Sequence, residues 1–258
     1  MLAINRHEKI VEWLGQNRSV KVSDLSKRFN VTEKTVREDL EKLEIKGLLK
    51  RIHGGAVLAG EGNSILLPVS GNDTRNESWK RAIAKFAIQF IEQRDIIALD
   101  GGSTTLEIAR LLEDMPLTVI TNDLFIISEL VKKVNIQLVV PGGYRNRNYL
   151  ISTEAISFME KLNIKKVFLS ATAVDLAYGL SVFTSAQIEQ KQAMIRCASE
   201  VYAVVDHSKF DKCALMTIAP LSVLKLIITD GGINPDIIQK YKENGTLIVT
   251  EKDWNDSV

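Results

Sequence analysis

Over the first 47 residues apolar positions recur at helical spacing. Ile10, Val11 and Leu14 make one stripe, with Asn5 and Glu8 spaced as a capping box ahead of it. Ser23 then predicts the cap of a short helix running through Leu25 to Phe29, and Asn30-Val31 a tight turn. Thr32 predicts the cap of a longer helix that carries Val36, Leu40 and Leu43 at i, i+4, i+7 and ends at Gly47. Two helices joined by so brief a turn form a helix-turn-helix, and Leu48 to Ala56 reads as a small β-wing closing on Gly54 and Gly55.

From Val57 to about Glu77 the periodicity lapses into Gly, Asn, Ser and Pro, which predicts a linker in which Ile65-Leu66-Leu67 docks on a neighbouring domain. After Trp79 short apolar runs alternate with helical patterns. The runs are Ile96–Leu99, Leu117–Ile120, Ile136–Val140, Val167–Leu169, Val201–Val205, Leu226–Thr229 and Leu247–Val249. Helical patterns fall between them at Thr104–Leu112, Asp123–Lys132 and Ser185–Ser199. Strands apolar on both faces and interleaved with helices predict an α/β domain with a mainly parallel sheet covered on each side. The division expected is 1–57 for the winged helix-turn-helix, 58–76 for the linker and 77–258 for the α/β domain.

Charge sharpens this division. The first 58 residues hold 12 Lys+Arg against 8 Asp+Glu, a net of +4, while the remainder carries a net of −3. A basic small lobe beside an acidic large one points to nucleic acid at one end only. The two cysteines, Cys197 and Cys213, have no CxxC spacing and no histidine cluster, so they read as reduced thiols and neither a metal nor a cofactor is expected. No signal-like or membrane-length apolar segment is present in the sequence, which predicts a cytoplasmic protein with no membrane partner.

On the longer helix, Lys34, Glu38 and Glu41 point away from the apolar face, with Thr35 and Arg37 on its flanks. Such a helix suits the major groove of double-stranded DNA: Arg37 can bond guanine or phosphate, and Glu38 can accept from cytosine. Ser23 and Thr32, at the two helix starts, complete the contacts expected there. In the larger domain each strand ends in a small or polar turn, where ligands of open α/β sheets bind. Gly101-Gly102 lets the backbone approach an anion, Ser103, Thr104 and Thr105 add hydroxyl donors, and a helix starts at the same spot. A small phosphate fits this better than a dinucleotide, because GxGxxG spacing is absent. Lys191 and Lys209 are candidates to supply charge, and Asp100, Asn122 and Asp206 to bond sugar hydroxyls.

Val31-Thr32-Glu33-Lys34-Thr35-Val36-Arg37-Glu38-Asp39-Leu40, followed by Arg51-Ile52-His53-Gly54-Gly55-Ala56, closely resembles the DeoR family of transcription repressors. The resemblance runs on through Asp100-Gly101-Gly102-Ser103-Thr104-Thr105, Thr121-Asn122, Gly142-Gly143, Lys191-Gln192-Ala193-Met194 and Asp206-His207-Ser208-Lys209-Phe210. It implies wing contacts from Arg51 and His53, and a C-terminal domain similar in fold to sugar-phosphate isomerases that binds a phosphorylated sugar. Thr121, Gly142 and Gly143 join the effector residues on the same ground. The function implied is repression of a carbohydrate-utilisation operon, with DNA affinity changed by the sugar, in a homo-oligomer of two or more chains on operator DNA.

The chain departs from the family pattern at four places. Glu38 stands where a second arginine is usual, and Gln187 where a glutamate often is. Ser152-Thr153 replaces a glycine, and Phe168-Leu169-Ser170-Ala171-Thr172-Ala173-Val174-Asp175 stands where a glycine-containing block is usual. The competing reading is a sugar-phosphate isomerase-like enzyme fused to a helix-turn-helix. Pentose-phosphate isomerases place two acids after the equivalent strand; here Asp175 alone remains, so the chain reads as a sensor, not an enzyme.

Overall fold

A computed structural model describes residues 2–17, 19–58, 76–251 and 253. Helix α1 spans Ala3–Asn17, strand β1 Ser19–Lys21, helix α2 Val22–Phe29 and helix α3 Glu33–Ile45. Strands β2 (Leu49–Ile52) and β3 (Gly55–Leu58) follow, and the small sheet runs in the order β1-β3-β2. Thr32 caps α3 as its position predicts, its hydroxyl accepting the Thr35 N–H at 3.2 Å. Asn30 and Gly47 take the left-handed conformation that ends each helix, at φ 52° and 69°. Ile10, Leu14, Leu25, Val36, Leu40 and Leu43 meet in one core.

Two caps fall elsewhere. α1 begins two residues before Asn5, where the Arg6 N–H bonds the Leu2 carbonyl at 3.2 Å, so Asn5 lies inside the first turn. Ser23 is likewise inside α2. Strand β1 delivers the chain straight into that helix, and the Val22 N–H bonds the Gly54 carbonyl at 2.9 Å in place of a side-chain cap. The expected docking of Ile65–Leu67, and nearly all of the expected linker, lie outside the described residues.

The larger domain opens with α4 (Glu77–Ala87), β4 (Ile96–Leu99), α5 (Ser103–Leu111), β5 (Leu117–Ile120), α6 (Leu124–Leu130) and β6 (Ile136–Val139). A hairpin of β7 (Tyr144–Asn146) and β8 (Tyr149–Ile151) precedes α7 (Thr153–Met159), β9 (Ile164–Leu169), β10 (Ala173–Asp175) and β11 (Gly179–Val182). Then come α8 (Ile188–Cys197), β12 (Ala198–Val204), β13 (Met216–Ala219), β14 (Leu226–Thr229), α9 (Pro235–Glu243) and β15 (Ile248–Thr250).

All seven apolar runs become one parallel sheet, ordered β15-β14-β12-β9-β4-β5-β6. Alternation along each strand sends side chains to two cores. Ile97 and Leu99 meet α4, α5 and α6, while Ala98 faces the side covered by α7, α8 and α9. The chain lays β4, β5 and β6 outward in one direction, then returns to place β9 on the other side of β4. Loops leaving neighbouring strands on opposite paths open a crevice there, and the candidate ligand site lies in it.

The two lobes share an interface. A second small sheet, β10-β11-β13, contributes Ala173 to the apolar cluster that holds the DNA-binding core, joined by Phe183, Ala214 and Leu215. The Lys46 ammonium donates to the Leu215 carbonyl at 2.7 Å, and Glu8 accepts the Ser185 N–H at 2.6 Å.

Candidate functional site: a DNA-reading face and a cationic cavity

Ser23, Thr32, Lys34, Arg37 and Glu38 are exposed on one side of the helix-turn-helix, with Thr35 half-buried among them. Arg37 is held by Glu33 one turn earlier, Nη2 to Oε2 at 2.6 Å, with both side chains largely exposed. An exposed pair of this kind is weak and leaves the guanidinium available to a stronger anion. Arg51 and His53 stand on the wing, where Gly54 at φ 77° makes the turn. The Arg51 N–H and guanidinium both bond Glu44, holding that carboxyl below its ordinary range and fixing the wing to α3.

Asp39, inside the family-like motif, does not join this face. It is buried, and accepts two bonds from Arg6 and one from His7 Nε2 at 2.8 Å, locking α1 against α3.

In the larger domain a cavity of about 600 Å³ lies beyond the carboxyl ends of β4, β5, β9 and β12. It is within the size range of small-molecule sites. Lys80, Arg145, Arg147, Lys191 and Lys209 line it, and among the described residues its carboxylates are Asp123 and Asp206, with Lys191 paired to Asp100 behind it and Arg147 to Glu12. Both carboxylates are engaged. Asp123 caps α6 by accepting the Phe125 and Ile126 N–H groups, and Asp206 accepts the Ser208 N–H at 3.1 Å. Burial nonetheless pushes the Asp123 carboxyl above its usual range. α5 starts at the cavity wall with Gly102, which carries no side chain, at its cap position. The cavity is therefore built to attract an anion.

Of the residues expected to bind an effector, Gly101, Gly102, Ser103, Thr104, Lys191, Asp206 and Lys209 line this cavity. The other six stand behind it. Asp100 accepts from the Lys191 ammonium and from the Ser170 N–H and hydroxyl, at 2.9 and 2.8 Å, so its carboxylate belongs to a buried ion pair. Thr105 donates to the Gly102 carbonyl at 2.9 Å, and Thr121 accepts the Asp123 N–H at 3.3 Å. Asn122 bonds the Leu150 carbonyl at 3.2 Å and the Gln190 side chain. Gly142 and Gly143, at φ 89° and 120°, lead the chain into the β7–β8 hairpin.

The glycines of the first loop also serve contacts that the motif does not reveal. A Cβ at Gly101 would stand 2.0 Å from Tyr149 Cε1, and one at Gly102 2.5 Å from Ser170 Oγ. Tyr149 covers the loop and donates its hydroxyl to the Gly101 carbonyl at 3.1 Å. Sequence reasoning missed Lys80, Asp123, Arg145, Arg147, Asn148 and Tyr149 as cavity residues, while Ser170 lies in a segment it placed at the pocket. The available signal was the run Tyr144-Arg-Asn-Arg-Asn-Tyr149, two arginines between aromatics directly after a Gly-Gly turn.

Comparison with known proteins agrees with both halves. Residues 6–61 match the DeoR-like helix-turn-helix domain, and residues 75–231 match the DeoR C terminal sensor domain. The chain is 31% identical to the HTH-type transcriptional regulator IolR of Bacillus subtilis, covering 94% of this chain and 97% of that one. It is 33% identical to the L-fucose operon activator of Haemophilus influenzae, covering 94% and 98%. Ribose 5-phosphate isomerase A of Methanocaldococcus jannaschii is similar at 21% identity and a TM-score of 0.41, over 53% of this chain and 56% of that one. A helix-turn-helix with its wing, a sensor domain built on a parallel sheet and full-length similarity to transcription regulators lead to one assignment: the chain belongs to the DeoR family of DNA-binding transcription regulators.

Proposed function

We propose that this regulator is a repressor of a carbohydrate-utilisation operon, and that a phosphorylated sugar in the C-terminal cavity changes its affinity for operator DNA. One observation carries the reading: five cationic side chains and the α5 N-terminus surround a space of sugar-phosphate size. The phosphate sits on Gly101–Thr104, with Lys209 and the Lys191–Asp100 pair nearby. The sugar extends toward Asp206, Asn148 and Gln187. A thermal-shift screen of hexose and pentose monophosphates, with the parent sugars and inorganic phosphate as controls, tests it. Stabilisation by the parent sugars alone overturns the phosphate assignment.

The protein acts by binding rather than catalysis. Asp175, the one acid retained from the isomerase-like segment, accepts the Ala177 and Tyr178 N–H groups in a turn and is absent from the cavity wall. Among the described residues both carboxylates of the wall accept N–H groups at helix starts.

DNA is read by α3 in the major groove, with Thr32, Lys34, Thr35, Arg37 and Glu38 on the bases and nearby phosphates. Ser23, Arg51 and His53 contact the backbone. Arg37→Ala is expected to weaken operator binding by about 1–3 kcal/mol. A gel-shift or anisotropy comparison with random DNA assigns the contact: a larger loss on the operator means base reading, an equal loss means phosphate, and no loss removes α3 from the groove. The cytoplasmic homo-oligomer matches a palindromic operator, and sedimentation of the full chain measures its order.

Residues 1–57 and 77–258 are the two functional units, with 58–76 as their connection. Limited proteolysis is expected to cut first between Gly60 and Asn72, where Gly, Asn, Ser and Asp predominate. A first cut within Trp79–Ile91 places the boundary elsewhere.

A further inference from the structure

The turn of the β7–β8 hairpin belongs to two places at once. Arg147 lines the 600 Å³ cavity and also a second cleft of about 140 Å³ between the hairpin and α1. In that cleft its Nη2 donates to Glu12 of the DNA-binding domain. Glu8, one turn earlier on α1, lines the same cleft and accepts the Ser185 N–H. Tyr149, Thr184 and Gln187 border both spaces, so the inner cavity and the interdomain cleft are neighbours with Arg147 between them.

The backbone at this residue is unusual. Asn146 pairs with Tyr149, which leaves Arg147 and Asn148 as a two-residue turn, and Arg147 takes φ 57°. Glycine or asparagine fills such a position at lower cost, so the arginine is there for what its side chain does. Arg145 steadies the turn, its Nε donating to the Arg147 carbonyl at 2.8 Å. Asn148 donates to the buried Asp123, which ties the turn to the cavity wall.

We propose that Arg147 is both an effector ligand and the tether of the DNA-binding domain, and that an anionic effector draws it from Glu12 into the cavity, loosening α1. This rests on the phosphorylated-sugar reading above. The exchange runs downhill. Arg147 and Glu12 are 49% and 38% exposed, and a half-exposed pair of single charges holds weakly. A phosphate carries more charge and accepts a planar guanidinium through two parallel bonds. Inside the cavity it also gains Lys209 and the α5 N-terminus, neither of which Glu12 can reach. The DNA-binding domain keeps its apolar seat and the Lys46 contact, so α1 loosens without the domain leaving.

Competition between Glu12 and effector makes the two ends of this pair respond in opposite directions. Binding of inorganic phosphate and of the monophosphates in the screen is measured on the full chain by calorimetry, for the parent and for Glu12→Gln, Arg147→Gln and Arg147→Gly. Removing the competitor in Glu12→Gln is expected to tighten binding by about two- to fivefold, the worth of a weak surface pair. Arg147→Gln is expected to weaken it by about tenfold or more, the loss of a charge-assisted contact. Arg147→Gly suits the left-handed turn, so it keeps the hairpin folded and should lose the same affinity. Hydrogen exchange gives the second readout: bound monophosphate speeds exchange of the α1 amides in the parent, and adds nothing in Glu12→Gln. A purely structural pair predicts that Glu12→Gln and Arg147→Gln both weaken binding or both leave it unchanged, and either result overturns the tether while the effector reading stands. If neither phosphate nor any monophosphate binds the parent, the effector reading fails and the exchange at Arg147 fails with it.

Discussion

Asp39→Ala is expected to cost about 3–5 kcal/mol and to unfold the DNA-binding domain, although Asp39 sits in the middle of the motif that identifies the DNA-reading helix. The Asp39 and Arg6 side chains are 3% and 7% exposed, joined by two bonds, with His7 adding a third. A guanidinium keeps its proton at any accessible pH, so Arg6 cannot escape burial by becoming neutral. Truncating Asp39 therefore takes a carboxylate away from a buried guanidinium and from His7. A domain of this size has only a few kcal/mol in hand, so the loss approaches its whole stability. Urea unfolding followed through amide exchange in α3 measures it. Arg6→Met with Asp39→Leu should recover most of the stability, since replacing both ions removes the desolvation cost together with the attraction. A loss below about 1 kcal/mol for Asp39→Ala would mean that water already reaches the pair.

The contrast between Asp39 and Arg37, two residues apart, shows where reading a sequence stops. Periodicity placed Val36, Leu40 and Leu43 inside, and they are buried. It could not place Asp39, because a carboxylate goes inward only when a partner from another element meets it, and Arg6 is 33 residues away. The same limit recurs in the sensor domain. Seven strands were legible because parallel strands buried on both faces are short continuous apolar runs. The sheet of β10, β11 and β13 was not, because its strands meet across a chain reversal and the whole of α8 and β12. Asp100 and Lys191 were each expected at the ligand, but spacing did not show that they bond to one another across 91 positions. In the β7–β8 hairpin the β7 residues are exposed, and with the turn they supply charge to the cavity. Motifs locate the loops that converge on a site, while the pairing among their side chains is decided by tertiary contacts that spacing does not encode.

Thr104→Glu is expected to abolish binding of a phosphorylated sugar while leaving the domain folded. Thr104 lies in the first turn of α5, buried and on the cavity wall. A glutamate there puts its carboxylate where the phosphate is proposed to sit, and the same helix dipole that attracts a phosphate stabilises it. Fold and function therefore separate: the unliganded thermal midpoint should hold or rise slightly, and the ligand-induced shift should vanish. For the parent that shift corresponds to about 2.7 kcal/mol at a hundred times the dissociation constant, which sets the size of the effect lost. Thr104→Val removes the hydroxyl and keeps the shape, so it should cost only one hydrogen bond, about 0.5–1.5 kcal/mol. The pair of variants thus distinguishes occupation of the anion position from loss of a single donor. Should a folded Thr104→Glu protein bind the monophosphate as tightly as the parent, the phosphate is held away from the α5 N-terminus, and the sugar points toward α5 instead of away from it.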